Sequence, residues 1–174
     1  DSRDTASSRV GVIGLGAGVM AAYARAGDHF TFFEINPQSV EVARTAFTYL
    51  DDAKGHIDIE SGDARIVLQN RLAAGHNYQF DVLAVDAFTG DAIPVHLLTQ
   101  EAVGLYLSHL KPDGVLAIHI SNKYLDLRPG VSAVAGAVGA QALAFSSKAT
   151  QGHEFSSNWV LLSKVPQTHS AQSW

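Results

Sequence analysis

The stretch Arg9-Val-Gly-Val-Ile13-Gly14-Leu-Gly16-Ala-Gly18 decides the fold. Its first half is a short apolar run of the kind that forms a buried strand, and it passes directly into three glycines and then a segment with helical spacing, Val19–Ala26. A strand that turns on glycines into a helix opens an α/β unit, and the turn lies at the carboxyl edge of the sheet, where such proteins bind ligands. Working outward, Val-, Ile- and Phe-rich runs recur at Phe30–Glu34, Ile57–Glu60, Phe80–Val85, Val115–Ile120, Ala142–Ser146 and Trp159–Ser163, giving seven strands with Val10–Ile13. Helical segments are expected at Pro37–Leu50, Ala64–Ala73, Thr99–Leu110 and Pro129–Gly139, with Pro37 and Pro129 in first turns, where proline is tolerated. Only Ser147 to Asn158 separates the last two strands, too little for a crossover helix, so they are expected to pair antiparallel at one edge. The fold class is therefore α/β: a doubly wound, Rossmann-like sheet of about seven strands, five of them parallel and closed by an antiparallel edge hairpin.

The 174 residues, 47% hydrophobic and 17% charged, suit one soluble globular domain. Residues 1–8 read as a polar linker or cut end, 9–165 as the folded domain and 166–174 as a frayed tail. Seventeen acidic residues against 12 basic ones leave a net charge of −5, which disfavours nucleic acid and suits a small cationic substrate. With no cysteine, thiolate catalysis and cysteine-based metal sites are excluded. Val131–Phe145 is interrupted by polar residues and glycines and is shorter than the roughly 20 apolar residues of a membrane span. The opening residues lack the regions of a signal peptide, and the expected location is cytoplasmic. The eight histidines show neither HxxxH nor HExxH spacing, so no metal is expected. No GxSxG elbow is present.

The candidate chemistry gathers at strand ends. Gly14, Gly16 and Gly18 keep GxGxG spacing, but Val19 stands where a GxGxxG dinucleotide fingerprint needs glycine, which points to a nucleoside without a pyrophosphate. Glu34 closes the second strand, where a carboxylate can accept hydrogen bonds from ribose hydroxyls. Asp63, in Gly62-Asp63-Ala64, either accepts an adenine amine or caps its helix. Asp86 and Asp91 flank the loop Asp86-Ala-Phe-Thr-Gly-Asp91-Ala-Ile-Pro94, where a carboxylate can hold a substrate ammonium and remove a proton from an attacking amine. His119 either orients a substrate or satisfies a strand-end hydrogen bond. Tyr124 and Asp126 are candidates to line the acceptor site, and His96 to belong to the lid.

Taken together, Gly14-Leu-Gly-Ala-Gly18, Phe33-Glu34-Ile-Asn-Pro37, Gly62-Asp63-Ala64 and Val85-Asp86-Ala-Phe-Thr-Gly-Asp91-Ala-Ile-Pro94 resemble, in order and spacing, the spermidine synthase (polyamine aminopropyltransferase) family, a branch of the class I S-adenosylmethionine-dependent methyltransferase fold. The resemblance implies that Gly14, Gly16 and Gly18 approach the nucleoside, Glu34 binds the ribose, and Asp63 with Ala64 meets the adenine. It implies Asp86 as the base that activates a putrescine-like amine, Asp91 as the second loop carboxylate, and decarboxylated S-adenosylmethionine as co-substrate. It also implies a homodimer, and a longer parent protein with an amino-terminal β-domain or a membrane-embedded region. Ala17 stands where the family carries an aspartate that holds the aminopropyl amine. Two alternatives follow: an S-adenosylmethionine-dependent methyltransferase and a non-catalytic nucleoside-binding module.

Overall fold

The computed structural model describes residues 7–88, 93–122, 125–147 and 156–165. Its strands are β1 (Arg9–Ile13), β2 (His29–Glu34), β3 (His56–Ser61), β4 (Phe80–Val85), β5 (Leu110–His119), β6 (Gln141–Ser147) and β7 (Ser157–Ser163). The helices are α1 (Pro37–Ala46), α2 (Ala64–Ala73), α3 (Gln100–Ser108) and α4 (Arg128–Ala137), with short 3-10 turns at Val19–Tyr23 and Val95–Leu98. All seven strands form one sheet in the order β3-β2-β1-β4-β5-β7-β6. Strands β1 to β5 pair in parallel, and β7 runs antiparallel to both of its neighbours. The expected terminal hairpin is present, but β7 inserts between β5 and β6, so β6 is the edge strand.

Alternation along β2 explains the two-layered core, because successive side chains point to opposite faces of a sheet. Phe33 packs with Leu68, Leu83, Val103 and Tyr106 on the face covered by α2 and α3, whereas Phe32 packs with Val12, Ala21 and Ala43 on the other. Each fully buried side chain of this size contributes roughly 1.5–3 kcal/mol of transfer free energy. The order of strands also sets the site: β2 and β4 flank β1, so the chain winds away in both directions from the carboxyl end of β1.

Four of the five expected helices are shorter than their sequence pattern predicts, two of them for visible reasons. The segment after the glycine turn is a single 3-10 turn, Val19–Tyr23, because the Arg25 amide is drawn out of helical register by the Asp28 carboxylate at 2.9 Å. Asp28 is buried and also accepts from the Ser8 amide at 2.8 Å; that bond, against the opposing effect of burial and with help from Arg25, holds its carboxyl below the ordinary range. Helix α1 stops at Ala46, where Phe47 becomes extended and stacks with Tyr49. Strand β5 begins earlier than expected, at Leu110, by pairing Leu110 with Phe80 ahead of a register shift in which β5 carries the extra residues before Val115 pairs with Val82. Among the described residues no helix is long and apolar enough to cross a membrane.

Candidate functional site

A cavity of about 760 Å³ opens at the carboxyl ends of β1 to β4. Gly14, Gly16, Glu34, Asp63, Ala64 and Asp86, each singled out in the sequence, line it together. Asn36, Ser39, Phe88 and Leu97 complete the wall and carried no sequence signal of their own, whereas His96, the lid candidate, does line it. Asp91 and Tyr124 lie outside the described residues.

The glycine turn is shaped by close approach. Gly14 has φ +100°, and a Cβ there would meet the Asp86 carbonyl oxygen at 2.5 Å, so only glycine lets β1 and β4 end side by side. The backbone knits the three strand ends: the Gly14 amide donates to the Phe33 carbonyl and the Asp86 amide to the Ile13 carbonyl, both at 2.9 Å. Gly16 has open space on its Cβ side. Gly18 is the third glycine of the turn. It is absent from the cavity wall, and its Cβ position abuts Leu50 at 3.1 Å, so its φ of +82° serves the turn into the 3-10 segment. Ala17 does not line the cavity either.

Glu34 is buried and pinned by two backbone amides. Oε2 accepts from the Leu15 amide at 3.1 Å and Oε1 from the Asn36 amide at 2.8 Å, tying the glycine turn to the end of β2. A carboxylate offers about four acceptor positions, so each oxygen retains one for a ligand hydroxyl. Asp63 takes one of the two roles open to it in the sequence, the helix cap, and it also lines the cavity. Its Oδ1 caps α2, accepting from the Arg65 and Ile66 amides at 2.8 and 3.3 Å, while Oδ2 stands 3.9 Å from His96 Nε2 on the cavity wall. Asp126 is elsewhere. It forms a two-pronged ion pair with Arg128 at 2.8 Å, beside a separate cavity of about 330 Å³.

Asp86 is the carboxylate with the most distinctive surroundings. Its Oδ1 lies 2.7 Å from His119 Nδ1, and His119 Nε2 lies 2.7 Å from Ser121 Oγ, which in turn accepts from the Asn158 amide at 2.8 Å. An amide can only donate and a carboxylate only accept, so a neutral imidazole protonated on Nδ1 satisfies the whole chain: Asn158 to Ser121 to His119 to Asp86. The His119 ring is fixed from both sides, stacked on Trp159 at 4.5 Å and edge-on to Phe88 at 4.8 Å. Hydroxyl, imidazole and carboxylate follow the order of a serine hydrolase triad. The cavity, however, is at the carboxylate end: Asp86 lines it and Ser121 does not. Asp86 Oδ2 has no partner among the described residues, so the array holds a carboxylate by one oxygen and presents the other.

No family model matches the chain. It is 38% identical over 118 residues to an N-terminal histidine N-methyltransferase of Emericella nidulans, a match that covers 67% of this chain and 20% of that protein. It is 33% identical over 111 residues to a polyamine aminopropyltransferase of Vibrio vulnificus, covering 62% of this chain and 36% of that one. The chain is thus similar in sequence to an N-methyltransferase and to a polyamine aminopropyltransferase. It spans a fifth and just over a third of the length of these two relatives, both named as transferases. A solved spermidine synthase in complex with the transition state analogue AdoDATO superposes with a TM-score of 0.68 at 19% identity, covering 91% of this chain and 55% of that one, which shows the shared fold.

Proposed function

We propose that this chain is the nucleoside-binding core of a transferase that moves an aminopropyl group from decarboxylated S-adenosylmethionine to a putrescine-like amine. The observation that carries the reading is the placement of Asp86: it lines the cavity shared with the glycine turn and Glu34, and His119 holds its Oδ1. Glu34 accepts the ribose hydroxyls, Asp63 Oδ2 accepts the adenine amine, and Gly14 and Gly16 let the backbone come close to the sulfur end. The amine nitrogen attacks the methylene carbon next to the sulfonium; the carbon–sulfur bond breaks, its electron pair stays on sulfur, and neutral methylthioadenosine leaves. The proton that the amine must lose goes to Asp86. The net charge of −5 favours a cationic acceptor, and a homodimer and a longer parent protein remain part of this reading.

Methyl transfer from S-adenosylmethionine is the second reading, favoured by Ala17 and by the N-methyltransferase named among the relatives. Both reactions displace a thioether from a sulfonium carbon by an amine, and they differ in which carbon faces Asp86. The deciding experiment supplies purified protein with putrescine and decarboxylated S-adenosylmethionine, and separately with S-adenosylmethionine. Release of methylthioadenosine supports aminopropyl transfer; S-adenosylhomocysteine with a methylated amine supports the alternative. Tight binding of either nucleoside without any product supports a binding module. In the productive case Asp86→Asn reduces turnover by about 100-fold or more while sparing nucleoside binding.

A further inference from the structure

At the amino-terminal edge of the sheet, opposite the cavity, a second cluster forms across β2 and β3. His29 and His56 each begin a strand and are register partners, so they stand side by side on one face. Asp58 follows His56 by two residues, which returns it to that same face. His29 Nε2 lies 2.7 Å from Asp58 Oδ2, and His56 Nε2 lies 3.2 Å from Asp58 Oδ1. One ligand atom from each residue falls within 4.8 Å of the others, and the two rings meet edge to face at 4.7 Å.

We propose that His29, His56 and Asp58 form a binding site for a borderline divalent transition-metal ion such as Zn²⁺, Co²⁺ or Ni²⁺. Two imidazole nitrogens and one carboxylate oxygen are the donor set such ions prefer, whereas Mg²⁺ and Ca²⁺ favour oxygen alone. Metal–nitrogen bonds of about 2.0–2.1 Å place tetrahedral ligand atoms roughly 3.4 Å apart, so small rotations of three partly exposed side chains bring these atoms to that spacing. Their side chains are 38%, 66% and 50% exposed, which leaves the remaining coordination positions to water. The consequence is mechanical: a bound ion clips the outer strand β3 to β2 far from the reaction cavity. HxxxH and HExxH spacings place ligands on one helix face; here the two histidines sit on strands, 27 residues apart in the chain but adjacent in register.

The test uses untagged protein stripped with a chelator and titrated calorimetrically with Zn²⁺, then with Co²⁺ read by its visible spectrum. The expected result is one saturable site per chain, a rise in Tm on adding Zn²⁺, and no rise with Mg²⁺ at the same concentration. His56→Ala and Asp58→Asn should each weaken binding at least about 10-fold, while His76→Ala, on a remote loop, leaves it unchanged. Circular dichroism confirms that the variants fold, and His29→Ala supplies a third independent ligand deletion. Absence of saturable binding, or an affinity unaffected by these variants, overturns the site.

Discussion

His119 is not itself part of the cavity wall but contacts two residues that are, Asp86 and Phe88, and under the proposed function its influence on the reaction passes through Asp86. Under that function it is a positioning residue: its Nδ1 holds one carboxylate oxygen at 2.7 Å and leaves the other for the substrate amine. Replacing His119 with Phe retains a ring to stack on Trp159 but removes both hydrogen bonds, whereas His119→Asn retains a donor near Nδ1 without the stack. The Phe variant is expected to lower kcat about 10–100-fold with nucleoside affinity unchanged, and the Asn variant to recover part of that loss. Measuring kcat alongside nucleoside Kd separates this role from a structural one, because a loosened fold would lower both. The sequence left His119 open between orienting a substrate and closing a strand-end bond. Its actual partner, Asp86, lies 33 residues away on another strand, and no local pattern points to it.

At the scale of an element, α2 shows one side chain serving a helix and a pocket at once. Asp63 Oδ1 satisfies two of the amides that a helix start leaves without partners, and Oδ2 faces the cavity. Asp63→Ala is expected to lower stability by about 1 kcal/mol, measured by urea denaturation, and to weaken nucleoside binding. Asp63→Asn preserves the cap, hence the stability, but puts a donor where Oδ2 accepted, so only binding should suffer. If Asn binds the nucleoside as well as the parent, Asp63 is a cap alone. The seven strands and α2 were legible from the sequence because they depend on local apolar period and capping residues. The first helix was not, because the buried Asp28 carboxylate competes for the Arg25 amide.

Across the whole molecule, His109 joins three parts of the fold. Fully buried, it presents Nε2 to the Leu68 carbonyl at 3.0 Å and accepts the Tyr78 amide on Nδ1 at 3.3 Å, linking α2, the loop before β4 and the start of β5. Both contacts require the neutral ring with its proton on Nε2, and burial, although opposed by the Leu68 carbonyl, pushes its pKa down. The unfolded chain, whose histidine titrates near 6.5, therefore binds more protons than the folded one as the medium is acidified. Stability from this group is complete above about pH 6.5 and is lost as pH falls toward the depressed folded value. Thermal melts from pH 8 to 5 should show Tm declining below about 6.5, and His109→Gln should flatten that decline; an unchanged slope would place its origin elsewhere.

The sequence by itself determined the strand positions, the glycine turn and the presence of Glu34, Asp63 and Asp86 at one edge of the sheet. These follow from local causes: an apolar period of two, glycine's access to positive φ, and residues that sit where strands end. Only the tertiary structure decided that Gly18 faces Leu50 rather than the cavity, that β7 enters between β5 and β6, and that His119 stacks on Trp159 while holding Asp86. It alone also brought His29 beside His56. Each of these depends on the register between strands or the direction of a turn in three dimensions, which is set by packing over the whole sheet and leaves no mark in any short window of the chain.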